Sequence, residues 1–94
     1  MKLYVLVRAD LEWQHRSVQA GHAVAEFLLE HPETKWNNGT LIYLKVKDQE
    51  DLLDWCDRFV EYAYTPWFEH DRGNQLTAIA VTGVDDLVKE LPLL

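Results

Sequence analysis

Seven polar positions in this 94-residue chain carry side chains from which chemistry could be built: His15, Arg16, Gln19, His22, Glu69, Asp71 and Thr77. Gln19 and His22 are three residues apart, about one helical turn. At helical spacing His22 falls on the border between an apolar arc and a face bearing Gln19 and Glu26. An imidazole there either serves a site or bonds a backbone carbonyl, and Gln19 either orients a bound group or is an ordinary exposed helix residue. His15 and Arg16 come just before the helix, where a cation can meet a phosphate or oxyanion; the competing reading is a solvated surface pair. Glu69 and Asp71 flank His70 and are either site carboxylates or the polar end of a hairpin. Thr77 presents a hydroxyl at the start of an apolar strand or simply fills a β position. Trp13, Trp36 and Trp67 lie in or beside expected loops, where an aromatic ring stacks on a base, covers a core edge or mediates self-association.

Other chemistries lack their residues. The four histidines at 15, 22, 31 and 70 show no close metal-ligand spacing, and with the single Cys56 no zinc site is expected. There is no phosphate-cradling glycine loop and no nucleophile elbow, and no cofactor is expected.

The elements that must position these residues follow from periodicity. Lys2 to Arg8 is a β-branched and aromatic run that reads as a buried strand, followed by a polar loop over 9–15. From about Ser17 to His31 the pattern is helical, with Val18, Ala20, Gly21, Val24, Ala25, Phe27, Leu28 and Leu29 on one arc and Gln19, Glu26 and Glu30 opposite. Pro32 ends that helix. Trp36 to Gly39 is a turn and Thr40 to Val46 a second strand. Asp48 is the expected N-cap of a second helix, whose buried stripe is Leu52, Leu53, Cys56, Phe59, Val60 and Ala63. Tyr64 to His70 is a third strand, at an edge because of Pro66. Leu76 to Thr82 is a fourth and central one, and Val84 to Leu91 is a short terminal helix. This order predicts a single α/β domain over 1–94, with a three-layer arrangement of helices around a mixed four-stranded sheet. Its first two strands are parallel and its last two antiparallel. Ligands of such sheets sit beyond the carboxyl ends of parallel strands, which points to the 9–16 loop and the start of the first helix.

Composition bounds the function. A hydrophobic share of 48% supports a real core and excludes a disordered chain. No apolar run approaches the ~20 residues of a membrane span, and the N-terminal residues show no leader pattern. One cysteine fits a reducing compartment, so a cytoplasmic location is expected. The net charge of −7 argues against a broad nucleic-acid surface. The charge is uneven: residues 1–47 carry six basic and five acidic side chains, whereas residues 48–94 carry three and eleven. A phosphate contact is therefore expected in the first half.

Two stretches resemble the type II peptidyl-tRNA hydrolase family. Arg8-Ala9-Asp10-Leu11 with Val18-Gln19-Ala20-Gly21-His22-Ala23 is similar to an R-x-D-L strand end leading through a G-K loop into A-A-Q-x-x-H-A. Leu76 to Val81 is similar to the family's late T-V-L-A-I-G strand, and the shared element order extends the likeness over nearly the whole chain. The family's lysine falls on His15 and its glycine on Gln14, and the loop is two residues short. The family's acidic segment is compressed to Glu69–Gln75, where either Glu69 or Asp71 stands for its aspartate.

The resemblance implies a cofactor-free hydrolase that cleaves the ester between a peptide and the terminal ribose of tRNA. Such a reaction needs an activated water, stabilisation of an oxyanion and a hold on the tRNA acceptor end. It would assign His22, Gln19, His15 and one of Glu69 or Asp71 to catalysis, and Arg16, Trp13 and Thr77 to substrate binding. Family members are often homodimers, and an aromatic-rich surface fits that. The alternative is a catalytically degenerate member acting as a binding or regulatory module, which the missing G-K and the acidic charge favour.

Overall fold

The computed structural model describes residues 1–94. Strands β1 (Lys2–Arg8), β2 (Thr40–Val46), β3 (Tyr64–Glu69) and β4 (Gln75–Thr82) form one sheet in the order β2-β1-β4-β3. β1 and β2 pair in parallel, and β4 runs antiparallel to both β1 and β3. Hence β1, β2 and β3 point the same way and β4 is the reversed strand between two of them. The α/β class, the mixed four-stranded sheet, the central β4 and the edge position of Pro66 agree with the sequence reading. No helix is long and apolar enough to cross a membrane.

Two cores lie on opposite faces of the sheet. Helix α1 (Trp13–Glu30) packs Ala20, Ala23 and Phe27 against Leu3, Val5, Val7, Ala78 and Ala80. Alanine on both surfaces lets this helix lie close to the strands. Helix α2 (Gln49–Arg58) and the short α3 (Asp85–Val88) cover the other face, burying Leu52, Trp55, Phe59, Val84 and Val88 on Tyr4, Leu6, Leu44, Ile79 and Val81. The outer edge of β2 is covered by the C-terminal residues: Lys45 donates to the Pro92 carbonyl at 2.9 Å and Leu94 to that of Tyr43 at 3.0 Å.

The helices differ from their expected patterns in three ways. α1 begins at Trp13, so His15 and Arg16 belong to its first turn and not to a loop. Leu11 is buried and brings the chain down on the core one residue before the Glu12 cap, which starts the helix early. The buried face of α1 is also narrower than the apolar arc: Val18, Leu28 and Leu29 are exposed, and Gln19 is buried in their place. On α2 the buried face is rotated toward Trp55, the largest apolar surface on that helix, with Arg58 lying 4.4 Å over its ring; Leu53 and Val60 are left outside. The terminal helix is confined to Asp85–Val88. Cys56 is half-buried at the side of the α2 core, and burial, with the Asp57 charge second, pushes its thiol up to about 11.

Asp48 caps α2 as its residue type suggests. Its Oδ1 accepts from the Asp51 amide at 3.0 Å, and Asp51 Oδ2 accepts in return from the Lys47 amide at 3.1 Å. Replacing Asp48 by Ala leaves helix amides without an acceptor, and urea denaturation should show a loss of about 1 kcal/mol. An unchanged midpoint would mean that solvent replaces the cap at no cost.

Candidate active site

The carboxyl ends of β1 and β3 open on the same edge of the sheet, and α1 starts there. A cleft of about 520 Å³ lies at that edge. His15, Val18, Gln19 and His22 line it from α1, and Glu69, Asp71 and Arg72 from the end of β3 and the turn that follows.

Its floor is set by an irregularity in β4. Trp67 pairs with Ala78 and Phe68 with Leu76, so Thr77 has no partner and forms a β-bulge. Ile79 and Val81 face α2, and strict alternation would send Thr77 the same way. The bulge reverses this: Leu76 enters the α2-side core while Thr77 turns toward α1. There the Thr77 hydroxyl donates to Gln19 Oε1 at 2.8 Å, with the Trp67 carbonyl a longer alternative at 3.3 Å. The Gln19 amide nitrogen in turn donates to Glu69 Oε1 at 3.1 Å. Gln19 is 3% exposed and Thr77 is fully buried, so a continuous Thr77–Gln19–Glu69 chain runs from the sheet to the cleft. Gln19 is thus an inward, bonded residue, contrary to its place on the polar face of the helical wheel.

His22, one turn on from Gln19, is exposed, and one face of its ring is laid on the Trp67 indole. The ring centroids are 4.8 Å apart and the planes 14° from parallel. His22 is therefore not enclosed by apolar side chains, and it lines the same cleft as Glu69 and Asp71. Trp67 is held by the α1-side core, and its buried Nε1 has no hydrogen-bond partner. Packing and the stack, not a hydrogen bond, hold the indole.

The structure brings together His15, Gln19, His22, Glu69 and Asp71, with Thr77 beneath them. It does not bring in Arg16 or Trp13. The Arg16 guanidinium turns back to the Leu11 carbonyl at 3.0 Å and the Ala9 carbonyl at 2.6 Å, closing the loop that enters α1. In this structure Arg16 therefore closes the loop and does not line the cleft. Trp13 is 78% exposed at the first residue of α1 and does not line the cleft. The arginine that does line it is Arg72, which the sequence reading did not single out. Its position beside Asp71, directly after a strand end, was the available signal.

A second arginine braces the site from below. Arg8 is 8% exposed and grips Asp10 through two bonds of 2.9 Å each, while also donating to Gln75 Oε1 at 3.0 Å and to the Leu76 carbonyl at 3.2 Å. It ties the β1–α1 loop to the start of β4, next to the bulge. Hydrogen bonding from Arg8 holds the Asp10 carboxyl below its ordinary 3.8 against an opposing effect of burial, and the Arg72 charge adds to the lowering. No group of three or more His, Cys, Asp or Glu side chains is placed to hold a metal ion. No protein-family model matches the chain, and no curated protein matches it.

Two outcomes follow from this wiring. Thr77→Val keeps the shape of the side chain but leaves Gln19 Oε1 buried without a donor. It should cost about 1–3 kcal/mol by chemical denaturation. A change within about 0.5 kcal/mol, the range of neutral surface substitutions, would show that the Thr77–Gln19 bond carries no net stability. Asp10→Asn tests the brace through pH. A carboxyl whose folded value is lowered contributes stability above its unfolded value near 3.8, and that contribution is lost as pH falls through the folded value. The variant should be less stable than wild type at neutral pH, and the gap should close on acidification below 3.8. A gap independent of pH would separate Asp10 from the acid limb.

Proposed function

We propose that this protein hydrolyses the ester between a peptide and the terminal ribose of tRNA, as a divergent and shortened relative of the type II peptidyl-tRNA hydrolases. The observation that carries the reading is the meeting of Gln19 and His22 from α1 with Glu69 and Asp71 from the end of β3 in one cleft. Gln19 and His22 lie in the first stretch that resembles that family and Thr77 in the second, and the Thr77–Gln19 bond joins the two stretches. The order of strands and helices supports the same fold type.

In this reading a water enters between His22 and the carboxylates. His22 takes its proton while the oxygen attacks the ester carbonyl carbon. Arg72, with His15 at the position of the family lysine, stabilises the oxyanion that forms. Collapse of the tetrahedral intermediate breaks the carbon–oxygen bond to the ribose, and the proton on His22 passes to the departing ribose oxygen. Gln19, fixed by Thr77, holds Glu69 in the orientation that receives the water. This reading assigns the protein to the cytoplasm, and the exposed Leu28 and Leu29 on α1 offer apolar surface to a homodimer.

A binding or regulatory module is the second reading. It is favoured by one observation, that Arg16 is committed to backbone carbonyls while His15 stands where the family has lysine. The two readings part in a single assay. Purified protein incubated with a peptidyl-tRNA analogue should release the peptide where an inert control protein does not. His22→Ala should then lower turnover by roughly 10²–10⁴-fold, the usual worth of a general base, with the native fold retained by circular dichroism. Saturable binding of the acceptor end without release would establish the module instead, and a fully active His22→Ala would remove His22 from the chemistry.

A further inference from the structure

The proton-transfer role uses only the edge of the His22 ring, where its nitrogens are. The faces of the ring are a separate resource. One is covered by Trp67, nearly parallel at a centroid distance of 4.8 Å, and Trp67 is itself anchored on the α1-side core. The other belongs to an exposed side chain that lines the cleft. A ring backed in this way is a rigid π surface. A second flat ring continues such a stack by offset face-to-face contact.

The rest of the cleft decides what kind of ring. Val18 is its one hydrophobic lining residue, so a ring that also bonds to charged side chains suits it better than a phenyl group or an aliphatic chain. Glu69 and Asp71 are acceptors for an exocyclic amine. Arg72 presents a planar, delocalised cation of the kind that binds phosphate. A flat ring that donates from an amino group and carries a phosphate nearby is a nucleotide with an amino-bearing base.

We propose that His22, backed by Trp67, is a nucleobase platform on which an amino-bearing base of the substrate stacks. The inference deepens the hydrolase reading and rests on it for where the substrate lies. It assigns recognition to the face of His22 and chemistry to its edge. Discrimination between a nucleotide and a sugar phosphate is then set by a stacked pair that sequence spacing does not reveal.

The test uses the whole protein with carbon-13-labelled histidine, titrated with adenosine 5′-monophosphate at about millimolar concentration, the weak end of specific affinity. The His22 ring protons should move upfield by the ring current of the stacked base. Ribose 5-phosphate, which has the sugar and phosphate without the base, should not produce that shift, and neither should N-acetylphenylalaninamide. His22→Phe keeps a flat face and should still bind the nucleotide. His22→Ala should weaken binding roughly five- to hundredfold, the worth of one base stacked on an aromatic ring. The platform is overturned if the nucleotide leaves the His22 signals in place, if ribose 5-phosphate or the phenylalanine amide moves them equally, or if His22→Phe loses binding. The outcome is separable from that of the hydrolase reading. Nucleotide binding with no peptide release on peptidyl-tRNA sinks the hydrolase and leaves the platform. Peptide release with unperturbed His22 signals does the reverse.

Discussion

One unpaired residue in β4 governs both layers of this molecule. Because Thr77 has no partner on β3, the strand's alternation reverses at its start, sending Leu76 into the α2-side core and Thr77 toward α1. A bulge disrupts the local ladder, and here side chains take up backbone groups around it. The Leu76 amide donates to Gln49 Oε1 at 2.7 Å, which fastens the first turn of α2, and its carbonyl accepts from Arg8. On the other face the Thr77 hydroxyl draws Gln19 into a buried position that a glutamine would not otherwise hold. Buried polar groups are stable only when bonded, so the bulge, Gln19 and Glu69 form a set that stands or fails together. Both helices are thereby referenced to the same two residues of one strand.

Much of this frame was legible in the sequence. The limits of β1 and β2 follow from dense β-branched and aromatic runs, and the Asp48 cap follows from residue type and position. The parallel first pair and reversed last pair follow from connection length. What escaped is what periodicity does not encode. The start of α1 lacks a capping Ser, Thr, Asp or Asn; Glu12 makes no side-chain cap bond, and Arg16 closes the turn through carbonyls of Ala9 and Leu11. On a wheel Gln19 is polar and so reads as outward, because a wheel has no knowledge of a hydroxyl delivered by a bulge in a strand 58 residues away. Trp55 was left out of the buried stripe although its area outweighs that of Leu53 or Val60 in deciding which way α2 rolls. His15, Gln19, His22, Glu69 and Asp71 were readable as a set, but Arg72 and the wiring between these residues were not.

Charge shows the same division between what is global and what is local. The chain as a whole is strongly acidic, and its basic residues concentrate in the first half. Yet the one guanidinium lining the cleft is Arg72, from the acidic half, while Arg8 and Arg16 of the basic half are spent on Asp10 and on backbone carbonyls. Within the cleft two carboxylates face one guanidinium and two imidazoles. Its formal charge with both histidines neutral is −1. A net charge of −7 therefore excludes a broad cationic surface but not a local contact with one phosphate.

The orientation of His22 completes the argument. A histidine that works as a base is commonly oriented by a carboxylate on its second nitrogen. Here the nearby carboxylate, Glu69, is engaged by the Gln19 amide, and the imidazole is oriented by lying flat on Trp67. Stacking fixes the plane of the ring while leaving its nitrogens open to water or substrate. It also fixes the direction in which the uncovered face points. An orienting hydrogen bond would constrain one nitrogen and say nothing about the face. In a domain of 94 residues with a small polar cleft, the stack lets one side chain present an edge and a face at once. The core that holds Trp67 then controls the geometry of both.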